Sequence, residues 1–476
     1  MAADKLKSWV LSSEATAASL ETVEREVEVR GREVCRLMLQ AHMQARGTGD
    51  VGPRIVTTDE ERAELERGRA HERKVATVVG VIAVERTSYG AASRESMHPL
   101  DESAVLPERR YSYELQRRVV LGAVQGPFDE ACARVSEASG VAMPKRSAEL
   151  LVREAARDFD AFYAERVAPP AAETGPILAA AVDCKGIPMV KPELALRVVR
   201  RGKGEKANKK RMATVAAVFT QQPRVRTPEE VVESLFDPKP RVVGNDALPK
   251  PKVPRPERKR VWASVEKSKD DVIADVAAEV ERRDPLREKV RVALTDGERA
   301  LQTRTAKAVV GSTLILDVIH AIEKLWKIAY CFHPEGSNEA VAWVRERALR
   351  LLQGGVSQVI KGLGKSATAR SFTGAKREAI DAVRGYFRRN RSRMRYHEYL
   401  RAGLPIASGA VEGACRNLIK DRMERSGMRW TIDAAEALVK LRAVYLSGDF
   451  EEYWRFHVDA EHRRLHPEGR WRVVEK

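Results

Sequence analysis

Apolar positions along the 476-residue chain change their rhythm several times. Leu20, Val23, Val27, Val34, Met38 and Ala41 recur at steps of three and four around Gly31, which predicts an amphipathic helix. Such a stripe either packs on its own domain or pairs with a second copy as a short coiled coil. After a polar break, KVATVVGVIAVERTSYG (residues 74–90) is β-branched and partly alternating, which predicts a hairpin. Helical spacing returns from Tyr113. ELQRRVVLGAVQG reads as one helix, PFDEACARVSEASG as a second closed by Gly140, and MPKRSAELLVREAARDFDAFY as a third with Pro144 near its start. Two helices joined at Gly140–Val141 form a helix-turn-helix pattern, with Lys145, Arg146, Ser147 and Arg153 on the recognition helix. An ordinary helical connector has the same spacing.

Beyond the linker-like APPAAETGP the texture changes. ILAAAVDCKGIPMV is a buried-type strand running into Asp183. LALRVVRR and RMATVAAVFT, around the basic loop GKGEKANKK, read as a hairpin. Six prolines from Pro238 to Pro256 then punctuate a basic arm ending in PERKRVW. DDVIADVAAEVERR is helical, EKVRVALTD is a strand ending on Asp296, and STLILDVI is a strand ending near Asp317, followed by the helix HAIEKLWKIAYCF. Residues 337–401 read as helices throughout, and a last helix starts at Ser408 and stops near Gly427.

Charge narrows the function classes. Lys and Arg number 85 against 68 acids, a net charge of +17, which suits a polyanionic partner whose counterions are released on binding. The five cysteines are scattered with no C-x-x-C pair, which argues against a disulfide frame and a zinc ribbon and fits a reducing compartment. The first twenty residues lack the apolar core of a signal sequence, and no run is long enough to span a bilayer. The expectation is therefore a cytoplasmic, nucleoid-associated protein with no membrane partner.

Three acids stand where strands or helices begin or end: Asp183, Asp296 and Glu412. Singly, each has an ordinary reading as a turn residue, a helix N-cap or an i,i+4 partner of Arg416. Together they suit phosphoryl transfer, where carboxylates from separate elements hold divalent cations and the cations balance acids that otherwise repel.

VDCKG, LTDGERAL, LDVIHAIEKLW and SGAVEGACRNLIKDRMERSGMRW, in this order, resemble bacterial insertion-sequence transposases of the DDE type, in particular the ISKra family related to the Mutator-like group. The resemblance runs most strongly from Ile177 to about Leu446. It implies an RNase H-like mixed sheet flanked by helices, an α/β fold with a helical insertion and a mainly helical N-terminal DNA-binding region. It implies Asp183, Asp296 and Glu412 as a catalytic triad holding two Mg²⁺ or Mn²⁺ ions. Asp317 and His320 match the family's D-x-x-H element, which makes His320 a further catalytic candidate. Relatives often carry a cysteine-rich zinc element after the N-terminal hairpin; TSYGAASRESMHPLDE has no cysteine, so end recognition is expected to shift to the helix-turn-helix.

The implied partner is double-stranded DNA, both transposon ends and target, bound by a homodimer or higher homo-oligomer. Beyond the helix-turn-helix, candidate DNA contacts are Lys206, Lys209 and Lys210 in the basic loop, Arg258, Lys259 and Arg260 in the arm, Arg416 and Lys420 beyond Glu412, and Trp430 as a stacking surface. The expected division is a helical region 1–72, a hairpin region 73–112, a helix-turn-helix region 113–168, a catalytic core 169–336 resumed at 403–446, a helical insertion 337–402 and a tail 447–476. Two alternatives stay open: a structure-specific nuclease on the same core, and an inactive domesticated DNA-binding protein.

Overall fold

The computed structural model of the chain describes residues 2–60, 62–92, 94–190, 210–237, 254–467 and 469–474. It is a mixed α/β protein in two units, one of residues 1–165 with 449–476 and one of residues 166–448. No helix among the described residues is long and apolar enough to cross a membrane.

The first unit joins a sheet to helices. Helix Leu20–Ala45 packs on strand β3 (Gly80–Gly90), the hairpin partner of β2 (Glu64–Thr77). Strand β1 (Arg54–Thr57) continues the sheet. The hairpin starts ten residues earlier than its hydrophobic pattern, because the β2 residues from Glu66 to Glu72 are all exposed and carry no alternation. The region expected as a helical 1–72 therefore ends in strands. Helices Tyr113–Gln125, Phe128–Ser139 and Lys145–Ala155 follow. Ser112 caps the first, and Gly140 ends the second at φ +68°, where an L side chain would be strained. The long third helix expected from the sequence is broken, and a separate helix Phe159–Glu165 completes it.

Residues 447–476 are not a tail. Helix Phe450–Leu465 packs on helix Phe159–Glu165, with Tyr453 edge-on to Phe162 at 5.3 Å. Later in the sequence comes a strand, Trp471–Val473 (β9 in chain order), which pairs with β1.

The second unit is built on five strands in the order β6-β5-β4-β7-β8. These are β4 (Ile177–Pro188), β5 (Lys210–Gln221), β6 (Glu257–Ser264), β7 (Val290–Thr295) and β8 (Thr313–Leu316). β4, β5 and β6 run antiparallel, whereas β7 and β8 add in parallel on the far side of β4. Residues Ile177–Val182 of β4 are all buried, as a strand covered on both faces requires. Adjacent residues reveal the two covers. Asp183 meets Cys415 beyond the helix Gly409–Ala414, while Cys184 meets Lys269 at the start of the helix Lys269–Arg283. Successive side chains of a strand point to opposite faces, so these helices lie on opposite sides of the sheet.

β5 pairs directly with β4 along its whole length. The segment LALRVVRR, expected as its hairpin partner, lies outside the described residues. Residues 238–253 of the basic arm also lie outside the described residues, and its end from Glu257 forms edge strand β6. Helix Val318–Phe332 leaves β8, and helices Asn338–Leu352, Val356–Ala369, Gly374–Asn390 and Tyr396–Arg401 follow. Ile380, Val383 and Phe387 are buried as their spacing requires.

Candidate functional site

The parallel strands line up their final acids. Ala181 pairs with Leu294, and Thr295 pairs with Leu316. Continuing the first register by two residues sets Asp183 opposite Asp296, and continuing the second by one sets Asp296 opposite Asp317. In-register residues of neighbouring parallel strands are about 4.8 Å apart and point to the same side. Asp183 does not end its strand as expected. β4 runs on to Pro188 against β5, and Asp183 stands where the parallel pairing with β7 has just stopped.

Each acid is held differently. One Asp183 oxygen accepts the Cys184 amide at 2.6 Å, and the other accepts the Cys415 thiol at 3.3 Å. Burial, then Asp183, pushes the Cys415 thiol well above its usual range, so it stays a protonated donor. Asp296 follows β7 and accepts the Glu298 amide at 2.8 Å, closing a short turn over Gly297 (φ +93°). The next helix, Arg299–Ala308, begins after Glu298, so Asp296 is not its N-cap.

Asp317 is fully buried and already occupied. It caps helix Val318–Phe332, accepting the Ile319 amide at 2.6 Å, and its other oxygen accepts both the amide and the hydroxyl of Ser408. Ser408 in turn accepts the Glu412 amide on its carbonyl at 2.9 Å, and Val318 bonds Ile406 at 2.9 Å. The cap at the end of β8 thus sets the start of the helix that carries Glu412.

Ligand atoms of Asp317, His320 and Glu412 come within 4.8 Å of one another, whereas Asp183, Asp296 and Glu412 do not form so close a group. His320 Nδ1 lies 3.9 Å from Asp317 Oδ1, beyond hydrogen-bond reach but within ionic reach, and no partner among the described residues bonds it. Asp317, ahead of Glu323 and Asp296, raises the imidazole pKa to about 9 against the opposing effect of burial. Burial raises the Glu412 carboxyl, and Asp317, Glu323 and Asp183 raise it further while His320 opposes them. Glu412 thus experiences the mutual repulsion of clustered acids that a cation would relieve. Carboxylates from separate elements are also the donor set a hard divalent ion takes.

The expected DNA contacts divide into several groups. Arg146 and Arg153 are exposed on helix Lys145–Ala155. Lys145 is exposed but ion-paired with Asp129 at 2.9 Å, and Ser147 accepts from Tyr111 at 3.2 Å. Lys206 and Lys209 lie outside the described residues, while Lys210 opens β5 and pairs with Glu424 at 2.6 Å. Arg258 is exposed and Lys259 half-buried at the edge strand.

Two of the expected contacts are corrected. Arg260 is buried, paired with Glu279 at 2.6 Å and stacked on Trp262 at 4.6 Å, so it serves the core and not a phosphate. Trp430 is buried too; its indole donates to the Met423 carbonyl at 3.0 Å, which leaves no open face for a base. Arg416 and Lys420 are exposed, but residues Cys415–Lys420 form a π-helical turn. Its wider hydrogen bonding breaks the i, i+4, i+8 alignment expected with Glu412.

Ser408 and Cys415 were not among the residues expected from the sequence. Ser408 carried a signal, since serine before a helix is a cap-type residue. Cys415 acts through a distant partner, Asp183, and had none. A scan against protein-family models finds no match to the chain, and a search of curated proteins finds none.

Proposed function

We propose that this chain is a DDE-type DNA transposase with an RNase H-like core, cutting element ends and joining them to target DNA. The register that sets Asp183 of β4 opposite Asp296 just past β7, with the start of the Glu412 helix held through Asp317 and Ser408, carries the reading. The mixed five-stranded sheet, with three antiparallel strands continued by two parallel ones, supports the reading as an α/β core.

Asp183, Asp296 and Glu412 would hold Mg²⁺ or Mn²⁺. When bound, the ions supply charge stabilisation to the attacking and leaving oxygens. The chain's own residues do the rest. Cys415 and Ser408 orient the first and last acids. Asp317 is spent on structure and does not compete for the cation. His320, which Asp317 biases toward its charged form, places a donor by the acids, where it stabilises a phosphate oxygen. Exposed Arg146, Arg153, Arg416 and Lys420 contribute phosphate contacts.

The test supplies intact and pre-cleaved element ends and a target plasmid with Mg²⁺ or Mn²⁺. Joined products are expected. Cutting without joining would indicate a nuclease, and DNA binding without metal-dependent turnover a binding protein.

A further inference from the structure

Three side chains of the helical block 337–402 reach back to the ends of β7 and β8. The Tyr386 hydroxyl donates to the Asp296 carbonyl at 2.7 Å. Asn390, one turn on, accepts from Gln302 at 2.9 Å, and Gln302 also donates to Thr295 at 3.1 Å. Asn390 itself donates to the Tyr386 carbonyl at 3.0 Å, which ties the two arms together. Tyr396, fully buried, donates to the carbonyl of Leu316, the residue before Asp317, at 3.0 Å.

The turn at Gly297 is shaped to this contact. Gly297 sits at φ +93°, and a Cβ there would collide with the Tyr386 hydroxyl and ring. Asp296 lies past the end of β7, so the sheet's hydrogen bonds no longer secure it. The helix Gly374–Asn390 already buries Ile380, Val383 and Phe387 for its packing. Its bonds to the strand ends are therefore additional to what holds the helix in place.

We propose that the helical insertion is a brace for the cation-binding acids, with Tyr386 as the positioning residue that fixes Asp296. The proposal rests on the metal-binding role given to Asp296 above. Supporting groups around a metal ligand set its orientation, so loosening one weakens metal binding before it unfolds the protein.

The test titrates the full-length chain, without DNA, with Mn²⁺ and follows free Mn²⁺ by electron paramagnetic resonance. Tyr386→Phe keeps the ring and deletes one hydrogen bond. It should weaken Mn²⁺ binding about 10-fold, with the metal-free melting temperature nearly unchanged, and extra Mn²⁺ should restore end cleavage. Gly297→Ala, which displaces the same contact from the other side, should weaken binding likewise and keeps the test decisive if Tyr386→Phe fails to fold. Wild-type affinity in the foldable variants overturns the brace and leaves the transposase reading standing. Failure of the wild-type chain to bind Mn²⁺ overturns both.

Discussion

Asp317 Oδ2 accepts both the amide and the hydroxyl of Ser408, 91 residues further along the chain. This one carboxylate joins the end of β8, the start of the His320 helix and the start of the Glu412 helix. It answers why two neighbouring strands stop on aspartates. Asp296 is left with an oxygen to offer, whereas Asp317 is consumed in holding the place where the third acid sits.

Asp317→Asn keeps the shape but replaces one accepting oxygen by an amide group. Hydrogen bonds to a buried charge contribute about 1.5–3 kcal/mol each. Urea unfolding should therefore show a loss of roughly 3 kcal/mol, together with slower end cleavage. A loss under about 0.5 kcal/mol would contradict the clamp.

Acid should act through Glu279. Burial alone would raise its carboxyl, but Arg260, Arg283 and Arg282 overcome this and hold it down at about 2. Burial also draws Arg283 down, though a guanidinium stays charged throughout. A depressed carboxylate stabilises the fold fully above its unfolded value of about 4.3 and loses that contribution as pH falls toward 2. The stability gap between wild type and Glu279→Gln should therefore narrow steadily from pH 5 to pH 2, measured by denaturant unfolding. A gap that stays constant over that window would show that the arginine nest does not hold Glu279 ionised.

DNA binding should separate exposed from buried cations. Removing one phosphate-binding cation reduces the slope of log K against log salt by about 0.9. Arg146→Ala and Arg153→Ala should each show that change in titrations over a range of salt. Arg260→Ala should instead destabilise the fold by roughly 3–5 kcal/mol, because it breaks a buried ion pair. Trp430→Phe should leave DNA affinity unaltered. A lower salt slope for Arg260→Ala in still-folded protein would restore it as a phosphate contact.

Much of the fold was legible in the chain. The continuous apolar run of β4, the two strands ending before Asp296 and Asp317, and the helical block after Ser337 all follow from periodicity. β2 was not fully legible, because a strand solvated on both faces has no alternation to read. The β1 strand and Trp471–Val473 were too short to signal themselves and exist by pairing in the sheet, β1 with β2 and Trp471–Val473 with β1. Within the site, the acids could be picked out singly, but not their division of labour. Nothing local distinguishes Asp317 as a clamp, since its partner Ser408 is placed by the whole insertion. Arg260 reads as one more cation in a basic run, and only the strand's inward face against Glu279 makes it core.

In the proposed function, Asp183, Asp296 and Glu412 act together on DNA through a divalent cation. Asp183→Asn, Asp296→Asn and Glu412→Gln should be compared with wild type for Mg²⁺-dependent cleavage of element ends, with DNA affinity measured on the same preparations. Loss of cleavage in all three with affinity preserved is the expected result. Undiminished cleavage by any one of them would contradict the shared site.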